Sequence, residues 1–243
     1  MQITFLGTGA ADWNGKDERG EERRFTSTLF DGCLLIDVTE TVIDSIKDVS
    51  AVKAVLFTHS HSDHFSLSAL RKLAPCTVYC YKSWAHLIEG EGLSVVPLDV
   101  DDEFDVCGYH VIAVPGNHTT EKPDEQPLHY LLMKDGKTLH YATDGAWMTC
   151  RAHLQLMKHP ADALIIDATV GYGHKDDFRI FEHNTMDMIE WMLPGMTKNG
   201  LLKENAPVYL THMARTLHPT QKELEASIHA PLIAAYDGFT CEV

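Results

Sequence analysis

Apolar positions in this chain fall in short runs separated by turn residues. Ile3 to Leu6 reads as a strand ending in the glycine turn Gly7-Thr8-Gly9, and a polar, charged loop follows from Asp12 to Arg24. Ser27-Thr28-Leu29-Phe30, then Asp31-Gly32, then Cys33-Leu34-Leu35-Ile36-Asp37 is a hairpin signal, because Asp-Gly between two apolar runs suits a type I′ turn. Ala54-Val55-Leu56-Phe57 reads as a buried strand, and Leu67, Leu70 and Leu73 then recur at helical spacing. Thr77 to Cys80 and Ser94 to Leu98 read as strands around a helix near Ser83 to Glu89, and Tyr109 to Val114 is a further strand. Leu128 to Met133 and Thr138 to Thr143 flank Lys134-Asp135-Gly136-Lys137, a second hairpin. A helix near Thr149 to Lys158, a strand Ala163 to Ile166, a helix near Thr185 to Leu193, a strand Val208 to Leu210 and a helix near Thr220 to Ile228 complete the pattern. Hairpins mixed with strand–helix units predict an α/β fold with mixed sheets. No linker divides the chain, so one domain is expected over residues 1–243.

Composition narrows the classes. An apolar content of 44% supports a packed core, and there is no low-complexity stretch. A formal net charge of -15 argues against nucleic acid as partner, because affinity for its phosphates depends on Lys and Arg. A small phosphate-bearing molecule stays compatible, since bound divalent cations reverse the local potential. The six cysteines, Cys33, Cys76, Cys80, Cys107, Cys150 and Cys241, form no CxxC pair and read as free thiols in a reducing compartment. The first residues lack a basic segment followed by a long apolar one, and no run approaches the roughly 18 apolar residues of a membrane span. A soluble cytoplasmic protein without a membrane partner is the expectation. Oligomeric state is left open, with a homodimer as one arrangement.

The chemistry concentrates in His59-Ser60-His61-Ser62-Asp63-His64, directly after the apolar run at 54–57. Imidazole and carboxylate suit zinc and similar divalent metals. Side chains two apart on an extended segment point the same way, so His61 can join His59 on one ion while a turn aims Asp63 and His64 at another. Four side chains exceed the three protein ligands of an open catalytic zinc site, which suggests two metals side by side. Three more strands end in the same kind of residue. The run His110 to Val114 leads through Pro115-Gly116-Asn117 to His118, Leu139 to Thr143 leads to Asp144, and Pro207 to Thr211 leads to His212. Open α/β sheets place their sites at such strand ends.

Together HSHSDH at 59–64, GNH at 116–118, TDG at 143–145 and THM at 211–213 resemble the metallo-β-lactamase-fold hydrolases along almost the whole chain. The resemblance implies an αββα sandwich of two mixed β-sheets flanked by helices. It implies His59, His61 and His118 on a first metal, Asp63, His64 and His212 on a second, and Asp144 bridging both. Zn is the first expectation for the two divalent ions, and the donors also accept Mn or Fe. Phe5-Leu6-Gly7-Thr8-Gly9-Ala10, then Arg24 and Thr26-Ser27, resemble the start of the phosphodiesterase branch, which includes tRNA 3′-processing endonucleases and the cyclic-phosphate phosphodiesterases of phosphonate metabolism. His183, in Glu182-His183-Asn184-Thr185, stands where that branch carries a histidine that contacts the phosphoryl group or leaving oxygen; the competing reading is a neighbour of a helix cap at Asn184.

Only 25 residues separate His118 from Asp144, and nothing in that interval resembles the Gly- and Pro-containing arm of the tRNA enzymes. The small-molecule side of the branch is therefore favoured. The loop from Ala10 to Phe25 has no cysteine, which departs from the Cys-rich zinc loop that phosphonate-pathway enzymes often carry. The resulting expectation is a dinuclear metal-dependent hydrolase of a small phosphodiester, cyclic or open, working by attack of hydroxide that bridges the two metals, with Asp63 and His183 as catalytic residues. The alternatives are hydrolysis of a lactone, thioester or β-lactam at the same metals, and an inactive metal-bound sensor or scaffold.

Other residues are weaker candidates. Gly7-x-Gly9-x-x-Asp12 lacks the third glycine of a dinucleotide fingerprint and reads as a turn that lets backbone approach the site. His86, His110, His129, His140, His153, His159, His174, His218 and His229 read mainly as surface or hydrogen-bonded residues, with His174 a candidate pocket residue. Asp37 and Asp167 end strands and are candidates to orient ligand imidazoles.

Overall fold

A computed structural model describes all residues, 1–243. The strands are β1 (Gln2–Gly7), β2 (Ser27–Phe30), β3 (Leu34–Ile36), β4 (Ala54–Leu56), β5 (Cys76–Tyr81), β6 (Leu93–Leu98), β7 (Glu103–Val106), β8 (Tyr109–Pro115), β9 (Leu128–Lys134), β10 (Lys137–Ala142), β11 (Ala163–Asp167), β12 (Val208–Thr211), β13 (Leu232–Ala234) and β14 (Thr240–Glu242). The α-helices are α1 (Glu40–Ile43), α2 (Leu67–Arg71), α3 (Cys150–Lys158), α4 (Met186–Lys198) and α5 (Gln221–Ser227).

They form two seven-stranded mixed sheets, in the orders β14-β1-β2-β3-β4-β5-β6 and β13-β12-β11-β10-β9-β8-β7. Alternation along each strand divides the apolar side chains between two faces. On β3, Leu34 and Ile36 enter the core between the sheets while Leu35 packs on the outer face with α1 and α2 residues. On β11, Ala163 and Ile165 face inward, and Leu164 and Ile166 join the outer core under α3, α4 and α5. Both faces of the central strands are covered, which is why these runs are continuously apolar rather than alternating. The result is an αββα sandwich. No helix is long and apolar enough to cross a membrane.

The first hairpin turns as its sequence requires, with Asp31 (φ 47) and Gly32 (φ 69) both left-handed. Three expectations need correction. The segment expected as a helix near Ser83 to Glu89 forms only a 3-10 turn at Ala85–Leu87. Trp84, fully buried in the outer core, anchors that short crossover between β5 and β6. Helix α4 does not stop at Leu193 but passes Pro194 to Lys198, because its apolar stripe continues inward through Met196. Its N-cap is Thr185, not Asn184: the Thr185 hydroxyl accepts from Met188 N.

Strands β8, β10, β11 and β12 run in one direction, since β9 is antiparallel to β8 and β10, while β11 and β12 continue parallel to β10. Their C-terminal ends therefore share one edge of the second sheet.

Candidate metal centre

At that edge the strand ends meet the loop after β4. His59, His61, His118 and Asp144 bring one ligand atom each to within 4.8 Å of one another, and so do Asp63, His64, Asp144 and His212. Asp144 is common to both groups. Its Oδ2 lies 3.1 Å from His59 Nε2 and 3.0 Å from His64 Nε2. His61 turns Nδ1 inward, 2.9 Å from His59 Nε2 and 3.3 Å from His118 Nε2. Asp63 Oδ2 is 3.5 Å from both His64 Nε2 and His212 Nε2, and those two nitrogens are 3.2 Å apart. Asp144 (φ 58) and His212 (φ 58) take left-handed backbone conformations, which a neighbouring site must over-determine to hold.

The rings are fixed from behind. Asp37 Oδ2 lies 2.8 Å from His64 Nδ1, and Asp37 also accepts from the backbone N–H and hydroxyl of Thr58. Thr169 Oγ1 lies 2.7 Å from His212 Nδ1, and Asp167 Oδ2 lies 2.9 Å from His183 Nδ1. Asp37 and Asp167 thus orient imidazoles, as considered from the sequence. Thr58 and Thr169 were not foreseen; a hydroxyl beside a ligand carries no periodic or motif signal. Asn184 has another task than capping: its Oδ1 accepts from Trp147 N and its Nδ2 donates to Gly145 O, which pins the Asp144 loop.

A cavity of about 230 Å³ opens over the cluster, lined by His61, Asp63, His118, Asp144, His183 and His212, with Ala10 to Asp12, Thr169, Arg179, Glu182 and Ala214 completing the wall. His174 is not part of this lining. His129, His140 and His218 are buried rather than superficial. The close approach at the N-terminal turn is real: a Cβ on Gly7 would lie 1.9 Å from the carbonyl oxygen of Phe25.

The residues fit a pair of divalent cations. Buried Asp144 Oδ1 accepts no hydrogen bond, although His183 Nδ1 is 3.1 Å away. Imidazole nitrogens converge on one another: His59 Nε2 and His118 Nε2 lie 2.9 and 3.3 Å from His61 Nδ1, and His64 Nε2 lies 3.2 Å from His212 Nε2, the lone-pair arrangement that a shared cation accepts. Without cations the burial of so many groups is relieved by protons. Burial opposes charge on His64 and His212, but Asp63 and Asp37 push His64 well up, and Asp144 leads in raising His212 to about 9. His59 instead is held well down by burial and by the charge on His64. A donor set of neutral imidazoles and carboxylates is what zinc, manganese or iron takes.

A family profile described as Beta-lactamase superfamily domain matches residues 34–213. Among solved structures, zinc-bound PqqB from Methylobacterium extorquens is 18% identical over 100% of both chains, with a TM-score of 0.74. A diphosphatase from the PhnP family is 21% identical over 99% of this chain and 97% of its own (TM-score 0.72). The human tRNase Z short form is 18% identical over 100% and 99% (TM-score 0.70). These likenesses establish a shared fold. A comparison with curated proteins finds no match. The chain belongs to the beta-lactamase superfamily.

Proposed function

We propose that this member of the superfamily is a dinuclear metal-dependent phosphodiesterase acting on a small phosphodiester. His59, His61 and His118 would hold one ion, Asp63, His64 and His212 the other, and Asp144 both. Zinc is the first choice, with manganese or iron compatible with the donors. The ions would supply Lewis acidity toward a phosphoryl oxygen and lower the pKa of the attacking water.

The observation that carries the reading is His183. It lines the cavity, and Asp167 engages its Nδ1 at 2.9 Å. Nε2 makes no hydrogen bond within the chain and is the ring nitrogen left for a ligand. Burial disfavours the imidazolium, but the charges of Asp167 and Asp144 outweigh it and raise the pKa to about 11 in the metal-free site. Protonated His183 donates from Nε2 to charge that develops on phosphoryl oxygen, or gives its proton to the leaving oxygen. Asp63 lies at the cavity wall, where it can also accept a proton from water. The interval between His118 and Asp144 is filled by a short loop and the β9–β10 hairpin, which favours a small substrate over an RNA held by a protruding arm. Similarity to a diphosphatase and a tRNase Z supports a phosphorus-centred bond.

The test is hydrolysis of bis(p-nitrophenyl) phosphate and several cyclic phosphodiesters by protein loaded with Zn or Mn, beside nitrocefin and a thioester. Phosphodiester turnover that chelation abolishes is expected. Turnover of only the β-lactam or thioester, with metal bound, would overturn the proposal in favour of a carbon-centred ester.

A further inference from the structure

Three hairpins of the fold turn through a left-handed pair of residues. Asp31-Gly32 (φ 47 and 69) and Asp135-Gly136 (φ 52 and 72) are Asp-Gly pairs, but the turn between β7 and β8 is Cys107-Gly108 (φ 52 and 80). Both central residues of a type I′ turn need positive φ, a conformation that Gly, Asn and Asp take at least cost. The turn alone therefore does not account for a cysteine at position 107. Its neighbour is another cysteine. The Cys107 thiol donates to the carbonyl oxygen of Cys33 at 3.5 Å, across 74 positions of sequence. Cys33 precedes β3 in the first sheet and Cys107 follows β7 in the second, so the contact bridges the two layers of the sandwich.

The thiols also meet each other. Burial, then the charge of Cys33 and a hydrogen bond with it, pushes the Cys107 thiol up to about 12, against the charges of Lys134 and Lys53. The strand ends around the pair are clamped. Asp31 accepts from the Tyr109 hydroxyl and from Lys134 Nζ, each at 2.6 Å, which ties the β2–β3 turn to β8 and β9. Both cysteines are half-buried, within reach of a small reagent. The other four are placed differently: Cys76 and Cys80 are buried on β5, Cys150 is exposed at the start of α3, and Cys241 engages Tyr209.

We propose that Cys33 and Cys107 are a disulfide-forming pair that joins the two sheets covalently by exchange with a small disulfide such as oxidised glutathione. One protein thiolate attacks a sulfur of the small disulfide and expels a glutathione thiolate, leaving a mixed disulfide on the protein. The second protein thiolate attacks the protein sulfur of that bond and expels the second glutathione. Two protein thiols are oxidised, and one small disulfide is reduced to two thiols. Exchange quickens as pH rises, because Cys107 is a protonated thiol near neutrality and the thiolate is the nucleophile. The bond sits at the ends of β3 and β8 away from Asp37 and His118, so it constrains the sandwich without touching the candidate metal ligands.

The test incubates the metal-loaded, fully reduced protein with oxidised glutathione at mildly alkaline pH. An acid quench, alkylation in denaturant and peptide mapping then read each cysteine. The wild type should yield one linked peptide pair, Cys33 with Cys107, and four alkylated cysteines of its six. Its melting temperature should rise by roughly 5–10 °C with metal content unchanged, and fall back on reduction. C107N keeps a residue suited to the turn, so it should melt no lower than the reduced wild type. In that variant Cys33 should stop at the glutathione adduct, and the oxidative gain in melting temperature should vanish. Six alkylated cysteines in the wild type, adducts on both residues without a link, or a link to any other cysteine would each overturn the proposal.

Discussion

The carboxylate of Asp167 lies 2.9 Å from Nδ1 of His183 and 3.5 Å from Nδ1 of His212, so one buried side chain braces both a cavity histidine and a candidate ligand. The two rings stack at 5.4 Å between centroids. The roles proposed for His183 and His212 would thus be mechanically joined at Asp167, yet substitution can separate them.

His183→Ala removes a ring that is not needed to complete either four-residue donor group at the metals. Turnover of bis(p-nitrophenyl) phosphate is expected to fall by roughly 10²–10⁴-fold with metal content intact. Asp167→Asn should lower turnover and also weaken metal binding, by about 10–100-fold, because it unbraces His212. Kinetics alongside elemental analysis of dialysed protein separates the two. Full turnover in His183→Ala would take that residue out of the mechanism.

Asp63 contributes to only one of the two donor groups. Asp63→Ala should therefore leave one tightly held ion per chain where the wild type holds two, and activity should vanish with the second. Metal-to-protein ratios after dialysis against a weak chelator check this. A ratio of two in the variant would mean that Asp63 is not a ligand.

Much of this candidate site was legible because its candidate ligands follow strands. His59, His118, Asp144 and His212 each stand just past an apolar run, and the run both predicts the strand and locates its end. The sandwich core was legible for the same reason. Three edge strands were not: β7, β13 and β14 lie at sheet margins, and β7 and β14 are largely exposed, so their sequences lack an apolar signature. The 3-10 turn at Ala85–Leu87 was misread because burial of one tryptophan, rather than helical periodicity, shapes that crossover. Thr58 and Thr169 reach the candidate site through tertiary placement alone, and Arg179, a loop arginine whose buried Nη1 has no hydrogen-bond partner, looks in sequence like any solvated one.

The two loops that carry His118 and Asp144 also close on a shared filler. His129 on β9 sits beneath both, and a Cβ on Gly116 would lie 2.9 Å from its Nε2, while one on Gly145 would lie 3.0 Å from its Cε1. Gly145→Ala should destabilise the fold by about 1–3 kcal/mol, the usual cost of overpacking a tight site. The double variant Gly145→Ala/His129→Ala should recover part of that loss, because the ring that clashes is gone. Urea denaturation of the two single variants and the double variant gives the coupling energy. Strictly additive losses would show that the ring is not what forbids the methyl group.

A buried histidine pair beneath the candidate site predicts an acid limb in stability. His140 on β10 is 2% exposed, and neither ring nitrogen has a hydrogen-bond partner. Burial, then the neighbouring His129 with its ring centroid 6.1 Å away, lowers the His140 pKa to about 3. The folded pKa is depressed, so the unfolded chain binds the extra proton first as pH falls below its ordinary value of about 6.5. The stability that a neutral His140 permits is therefore complete above that pH and declines through the window down to about 3, at about 1.4 kcal/mol per pH unit. Between pH 7.5 and pH 5 the wild type should lose about 2 kcal/mol from this residue alone. His140→Leu removes both the proton uptake and two unsatisfied nitrogens, so it should be no less stable than the wild type at pH 7.5 and clearly more stable at pH 5. Comparing the two proteins at each pH by urea denaturation isolates His140, since the metal ligands titrate alike in both. A constant stability difference at the two pH values would show that His140 takes up its proton without unfolding the chain.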